Sequence, residues 1–187
     1  HPEELGIDFL SASAHKFHGP KGIGFLYASS MDFDSHLHGG DQEQKKRAGT
    51  ENLAAIVGMV AALKEDLDHQ AEHYQKLEGL KTAFLEEIED LDYYLNEGQE
   101  QLPYVFNIGF PGQKNDLLLL RLDLEGISIS TGSACTAGIV QTSHVLEAFY
   151  GADSHRLKES VRISLSPLNT EEELKQLAQT LKNIIGD

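Results

Sequence analysis

The segment Ser13-Ala14-His15-Lys16-Phe17-His18-Gly19-Pro20-Lys21-Gly22 is the densest concentration of reactive side chains in this sequence. A lysine at the end of an apolar run, beside a Gly/Pro turn, can project into a cleft. Desolvation there lowers its pKa and leaves an amine able to form a Schiff base. Ser13 and His15, just before it, are placed to hold a phosphate. The alternative reading of Lys16 is a solvated charge at a strand end. The spacing of Gly19, Gly22 and Gly24 is not a dinucleotide fingerprint, and no Walker-type loop occurs.

A second candidate is Thr131-Gly132-Ser133-Ala134-Cys135-Thr136-Ala137-Gly138, which holds the only cysteine of the chain in a loop of small residues. Such a thiol is a nucleophile if a neighbour lowers its pKa, and inert otherwise. A single cysteine forms no internal disulfide, so a reducing, cytoplasmic compartment is the expectation. The third candidate is Arg162, inside the apolar strand pattern Val161-Arg162-Ile163-Ser164. An arginine there needs a partner, either a substrate carboxylate held bidentately or a structural ion pair. Of nine histidines, His36/His38 alternate at strand spacing and His69/His73 lie one helical turn apart. Neither pair has a cysteine or third histidine at ligand spacing, so no metal is expected.

The elements that must position these groups are legible from periodicity. Ile7–Ser11 and Ile23–Tyr27 read as strands around a Gly/Pro turn, and residues 28–50 as a long polar loop. Leu53, Ile56, Val57, Val60, Leu63 and Leu67 recur at helical spacing, and the pattern resumes with Tyr74, Leu77, Leu80, Phe84 and Ile88. One long or kinked helical stretch over roughly 52–90 is therefore expected as a spine between two domains. Strands follow at Tyr93–Leu95, Tyr104–Phe110, Ile127–Ser130 and Val161–Leu165, with helices near 115–124 and 143–149. A last helix begins at Thr170, whose spacing to Glu173 fits a capping box. The class is mixed α/β. A strand beginning so near the first residue lacks partners, which suggests a piece of a longer protein.

Length and charge bound the function. The 187 residues suffice for one ordinary domain or two small ones, burying roughly 70% of the unfolded surface. A net charge of −15 argues against a general nucleic-acid binder and against docking on anionic lipid. No apolar run reaches the eighteen or so residues of a membrane span. Acidic residues crowd positions 61–100, as a solvated helix face or a docking surface. Lys16, Lys21, Lys45, Lys46 and Arg47 make the first fifty positions locally basic, which suits a small anion such as a phosphate monoester.

Together these residues resemble the C-terminal half of a cysteine desulfurase, a pyridoxal-phosphate enzyme of the class V aminotransferase superfamily. Four motifs occur in the family's order: Ser-Ala-His-Lys before Phe-His-Gly-Pro-Lys-Gly, His38-Gly39-Gly40 through Arg47-Ala48-Gly49-Thr50-Glu51-Asn52, Gly132-Ser133-Ala134-Cys135, and Val161-Arg162-Ile163-Ser164-Leu165. The resemblance implies a type I pyridoxal-phosphate transferase fold. Residues 1–65 would close the cofactor-binding large domain, and 66–187 would form a small α/β domain carrying the cysteine loop. It implies that Lys16 carries pyridoxal phosphate as a Schiff base and then moves protons, with Ser13 and His15 on the cofactor phosphate. Thr50 would reach the phosphate in the partner subunit of a homodimer. Arg162 would bind the L-cysteine carboxylate, and Asn107 is a further candidate near the substrate. Cys135 would attack the substrate sulfur, keep it as a persulfide, release alanine and pass the sulfur to an acceptor protein, for iron–sulfur cluster assembly or tRNA thiolation. The stretch from Thr131 to Ser160 looks like that of the long-loop group.

Asp41, Gln44 and Lys45 depart from a commoner Gly and Arg-Gly, and Ser166-Pro167 from a Gly-Arg. The family's ring-stacking histidine and pyridine-nitrogen aspartate belong to an N-terminal half not in this sequence, so this piece alone is expected to be catalytically poor. Alternatives are a selenocysteine lyase or other class V member, and a noncatalytic module docking through its acidic spine.

Overall fold

A computed structural model describes residues 1–132 and 142–186 of the chain. Two compact units result, His1–Gln70 and Ala71–Asp187. The class is mixed α/β, with helices packed on antiparallel sheet.

In the first unit, β1 (Phe9–Ser13) pairs antiparallel with β2 (Gly24–Ala28), from Phe9 opposite Ala28 to Ser13 opposite Gly24. The strand lies two residues later than alternation alone suggests. The link between the strands is a 3₁₀ turn, Ala14–Phe17, closed by His18 in the left-handed region at φ 65°. Ala14 is fully buried and its N–H donates to the Ile23 carbonyl at 3.0 Å, so the chain curls at once after Ser13. Gly24 is required by this pairing: a Cβ there would stand 2.3 Å from the Ala12 carbonyl oxygen. The loop that follows is tied by Lys46, whose Nζ donates to the Phe33 carbonyl and lies 4.8 Å over the Phe33 ring. Phe33 in turn meets Phe9 edge-to-face at 5.8 Å.

Helix α1 (Leu53–Asp68) starts at Asn52, whose side chain accepts from the Ala55 N–H at 3.2 Å. It lies close against the Gly/Pro turn: a Cβ on Gly58 would be 2.8 Å from Pro20 Cγ. The expected spine is broken at His69, which leaves helical dihedrals (φ −113°, ψ 11°). Helix α2 (Gln70–Glu87) begins immediately after it.

The second unit is built on a three-stranded antiparallel sheet in the order β3 (Tyr94–Leu95), β4 (Val105–Gly109), β5 (Ser160–Ser164). Alternation assigns its faces. Phe106, Ile108, Val161 and Ile163 are buried together with Leu80 and Phe84 of α2 and Ile88 just past its end. Helix α3 (Asn115–Leu124) adds Leu118 and Leu122, and α6 (Glu171–Gly186) adds Leu174, Leu177, Ala178, Leu181 and Ile184. Each large side chain so buried contributes roughly 1.5–3 kcal/mol. Asn107 and Arg162 therefore occupy the other face. The capping box is present: the Glu173 N–H donates to Thr170 Oγ1 at 3.3 Å, and the Thr170 N–H to Glu173 Oε2 at 3.0 Å.

Two local expectations change. Ile127–Ser130 is not a strand; Ser130 alone bridges Arg162 while Ile127 and Ile129 pack on the core. Between α4 (His144–Tyr150) and β5 lies a one-turn helix, α5 (Arg156–Glu159), too short to announce itself by periodicity. No helix of the described residues is long and apolar enough to cross a membrane.

Candidate functional site

The first group of candidate side chains sits on the 3₁₀ turn. Ser13 is the last residue of β1 and precedes the turn, while His15 and Lys16 lie on it; all three are exposed. Their placement follows from what lies beneath. Ala14 is buried under the turn, and the Gly19 N–H donates to its carbonyl at 2.8 Å. A Cβ on Gly19 would come within 2.9 Å of the Ala14 Cβ, so only glycine closes this turn. Among the described residues, no hydrogen bond or ion pair engages the side chains of Ser13, His15 or Lys16. A hydroxyl at the strand end and an imidazole and an amine on the turn thus lie within four residues of one another. That set can bond a carbonyl carbon and hold a phosphate. The strand-end cleft expected around Lys16 is not formed by the first unit itself, where the lysine faces outward.

Thr50 is also exposed and follows Gly49, whose φ is 106° and whose N–H donates to Gln42 Oε1 at 3.1 Å. Just before it, Glu43, Gln44 and Lys45 run consecutively through the left-handed region at φ 49°, 55° and 67°. These are side-chain-bearing residues in a conformation that favours glycine. Two of them, Gln44 and Lys45, are among the positions at which the sequence departs from the resembled motif.

The second group lies on the open face of the three-stranded sheet. Asn107 is directly opposite Arg162 in the β4–β5 register. Both backbone polar groups of Arg162 are held by Ser130: the Ser130 N–H donates to its carbonyl at 3.1 Å, and its own N–H donates to the Ser130 carbonyl. Its Nε is buried and finds no hydrogen-bond partner among the described residues. A structural ion pair is therefore not what the position displays at that nitrogen. A buried guanidinium N–H without an acceptor is costly, and a bound carboxylate would satisfy it.

Residues not singled out by sequence continue from Asn107 in a chain of hydrogen bonds. Asn96 Nδ2 donates to Asn107 Oδ1 at 2.6 Å and to Ser160 Oγ at 2.9 Å. Arg156 Nη1 donates to Asn96 Oδ1 at 2.6 Å. The Arg156 guanidinium lies between two rings, 4.2 Å from the Tyr94 centroid and 4.5 Å from that of Tyr150. Tyr94 covers Gly109, where a Cβ would stand 2.2 Å from Tyr94 Cζ. Its hydroxyl donates to Glu159 Oε2 at 3.3 Å, and Glu159 Oε1 accepts from the Gly112 N–H at 3.0 Å. Burial, and next the Glu159 carboxylate, raise the Tyr94 pKa above its ordinary value. Strand alternation offered one signal for Asn96, two residues after Tyr94 and so on the same face. Nothing local pointed to Arg156. Cys135 lies outside the described residues.

The aminotransferase class-V family model matches residues 1–177. Over 187 residues the chain is 40% identical to a cysteine desulfurase IscS of Dictyoglomus turgidum, covering 98% of this chain and 47% of that one. A cysteine desulfurase IscS of Clostridium botulinum is 39% identical over 189 residues, again covering 98% of this chain and 47% of its own. Among solved structures, a NifS-like protein superposes with a TM-score of 0.86 at 32% identity, over 98% of this chain and 48% of that chain. The chain spans about half the length of the relatives it matches. With the family model covering nearly the whole sequence, the chain belongs to the aminotransferase class-V family.

Proposed function

We propose that the protein acts as a cysteine desulfurase, removing sulfur from L-cysteine with pyridoxal phosphate and leaving L-alanine and a persulfide on Cys135. The observation that carries this reading is the buried, unpartnered Nε of Arg162 across from Asn107, a site suited to an amino-acid carboxylate. The exposed and unengaged Lys16, Ser13 and His15 fit a phosphorylated aldehyde, with the amine bonding its carbonyl carbon and the hydroxyl and imidazole on its phosphate. When bound, pyridoxal phosphate supplies the electron sink that stabilises negative charge at the substrate's α carbon.

The chain's own residues do the rest. Arg162 and Asn107 orient the substrate by its carboxylate. Lys16 would hold the cofactor through its ε-amine and, as a free amine, would move the proton at the substrate's α carbon. The Cys135 thiolate attacks the substrate sulfur: a sulfur–sulfur bond forms, the carbon–sulfur bond breaks, and its electron pair stays on the β carbon, which takes up a proton. Thr50 would reach the cofactor phosphate of a partner subunit, making the active unit a homodimer in the cytoplasm. The persulfide then passes to an acceptor protein serving iron–sulfur cluster assembly or tRNA thiolation.

The test uses the full-length enzyme with pyridoxal phosphate and L-cysteine. Alanine is expected, with a trappable persulfide that disappears in Cys135→Ser and a cofactor absorbance that disappears in Lys16→Ala. Alanine production that survives Lys16→Ala would overturn the reading.

A further inference from the structure

The side chains around Asn107 form a chain of hydrogen bonds whose direction is set from one end. Arginine carries only donors, so Asn96 must turn its Oδ1 toward Arg156. The Asn96 amide nitrogen then has no choice but to face the other way, and both of its N–H groups are spent, one on Asn107 Oδ1 and one on Ser160 Oγ. With its oxygen taken from the β3 side, Asn107 is left with its two N–H donors turned away from Asn96, on the central strand whose other neighbour is Arg162. An Asn amide left to itself is free to present either end. Here the orientation follows from the guanidinium, and the guanidinium is itself held between the Tyr94 and Tyr150 rings.

We infer that Arg156 and Asn96 are positioning residues for the substrate carboxylate, fixing the Asn107 amide so that it offers donors rather than its oxygen beside Arg162. This rests on the reading that Asn107 and Arg162 hold that carboxylate. An anion beside Arg162 is attracted by an amide N–H and repelled by an amide oxygen, so the orientation decides whether Asn107 helps or opposes binding. The effect of the relay falls on binding of the carboxylate.

The test measures KM and kcat for L-cysteine and the Kd of L-alanine in the full-length, cofactor-loaded enzyme. Asn96→Asp keeps the shape of the side chain but removes both donors, so Asn107 turns its own N–H toward the new carboxylate and its oxygen toward Arg162. KM and the alanine Kd rise about tenfold with kcat within about twofold. Arg156→Gln, which no longer dictates direction, shifts both constants the same way, whereas Arg156→Lys, still a pure donor, restores most of the loss. In an Asn107→Leu background Asn96→Asp costs nothing further, because it acts only through Asn107. Thermal melting of each variant establishes folding, and Arg156→Gln carries the test if Asn96→Asp does not fold. Unchanged KM and Kd in Asn96→Asp and Arg156→Gln, or an equal loss in the Asn107→Leu background, overturns the relay while the desulfurase reading stands. No alanine from the unsubstituted enzyme overturns the desulfurase reading, and with it the ligand assigned to the relay.

Discussion

Asn107 and Arg162 stand opposite each other at the middle of the β4–β5 ladder, on the face turned away from the core. Their neighbours in sequence, Phe106, Ile108, Val161 and Ile163, are buried on the other face. A one-residue slip of register would exchange the two sets, so the packing of four apolar side chains is what holds the polar pair in place. Substitution of Arg162 tests its assigned role. Arg162→Lys keeps the charge but not the planar fork, and KM for L-cysteine is expected to rise about tenfold; Arg162→Gln should raise it further. Steady-state kinetics on the loaded enzyme decide this.

Gly109→Ala should destabilise the second unit by about 1–3 kcal/mol, because the new methyl would meet the Tyr94 ring. The Tyr94 ring also stacks on Arg156, so a ring displaced by the methyl weakens the cation–π sandwich. Denaturant unfolding followed by circular dichroism gives the magnitude.

The start of α6 should respond to acid. Hydrogen bonds from the Asn169 side chain and then the Thr170 backbone hold the Glu173 carboxyl below its ordinary pKa, helped by Lys76. A carboxylate depressed in the folded state contributes stability that is present above its unfolded pKa and is lost as pH falls through the folded one. Glu173→Gln should therefore flatten the acid limb of the stability profile. Thr170→Ala, which removes the other half of the box, should cost about 1 kcal/mol at neutral pH. Melting temperatures between pH 3 and pH 7, roughly the window over which carboxylates titrate, test both.

The left-handed run Glu43–Lys45 carries conformational strain that glycine would not. Gln44→Gly should stabilise the first unit by about 0.5 kcal/mol, the relief exceeding the entropy glycine adds to the unfolded chain. A lower melting temperature for that variant would show that the Gln44 side chain contributes more than its backbone costs.

Much of this architecture was legible before any coordinates. Alternation located β4 and β5 to within a residue or two because each buries one face, and Thr170 with Glu173 announced the start of α6. The turn carrying Lys16 was not legible as a 3₁₀ turn. It exists because Ala14 is buried and paired with Ile23 across the hairpin, a relation that no local periodicity marks. The same applies to Arg156, which reaches Asn96 from sixty residues away, and to Ser130, whose single bridge to Arg162 leaves no periodic trace. An arginine inside an apolar strand pattern brings Arg162 to notice, and the family resemblance Asn107; only the fold shows what stands around them.

The ring of Tyr94 resting where a side chain at 109 would be has a consequence for descent as well as for stability. Position 109 cannot drift alone: a bulkier residue there is tolerable only after the tyrosine has given way to something small. Across homologues the two sites should therefore change in concert, and lineages that lost the aromatic ring should be the ones in which glycine at 109 is no longer kept.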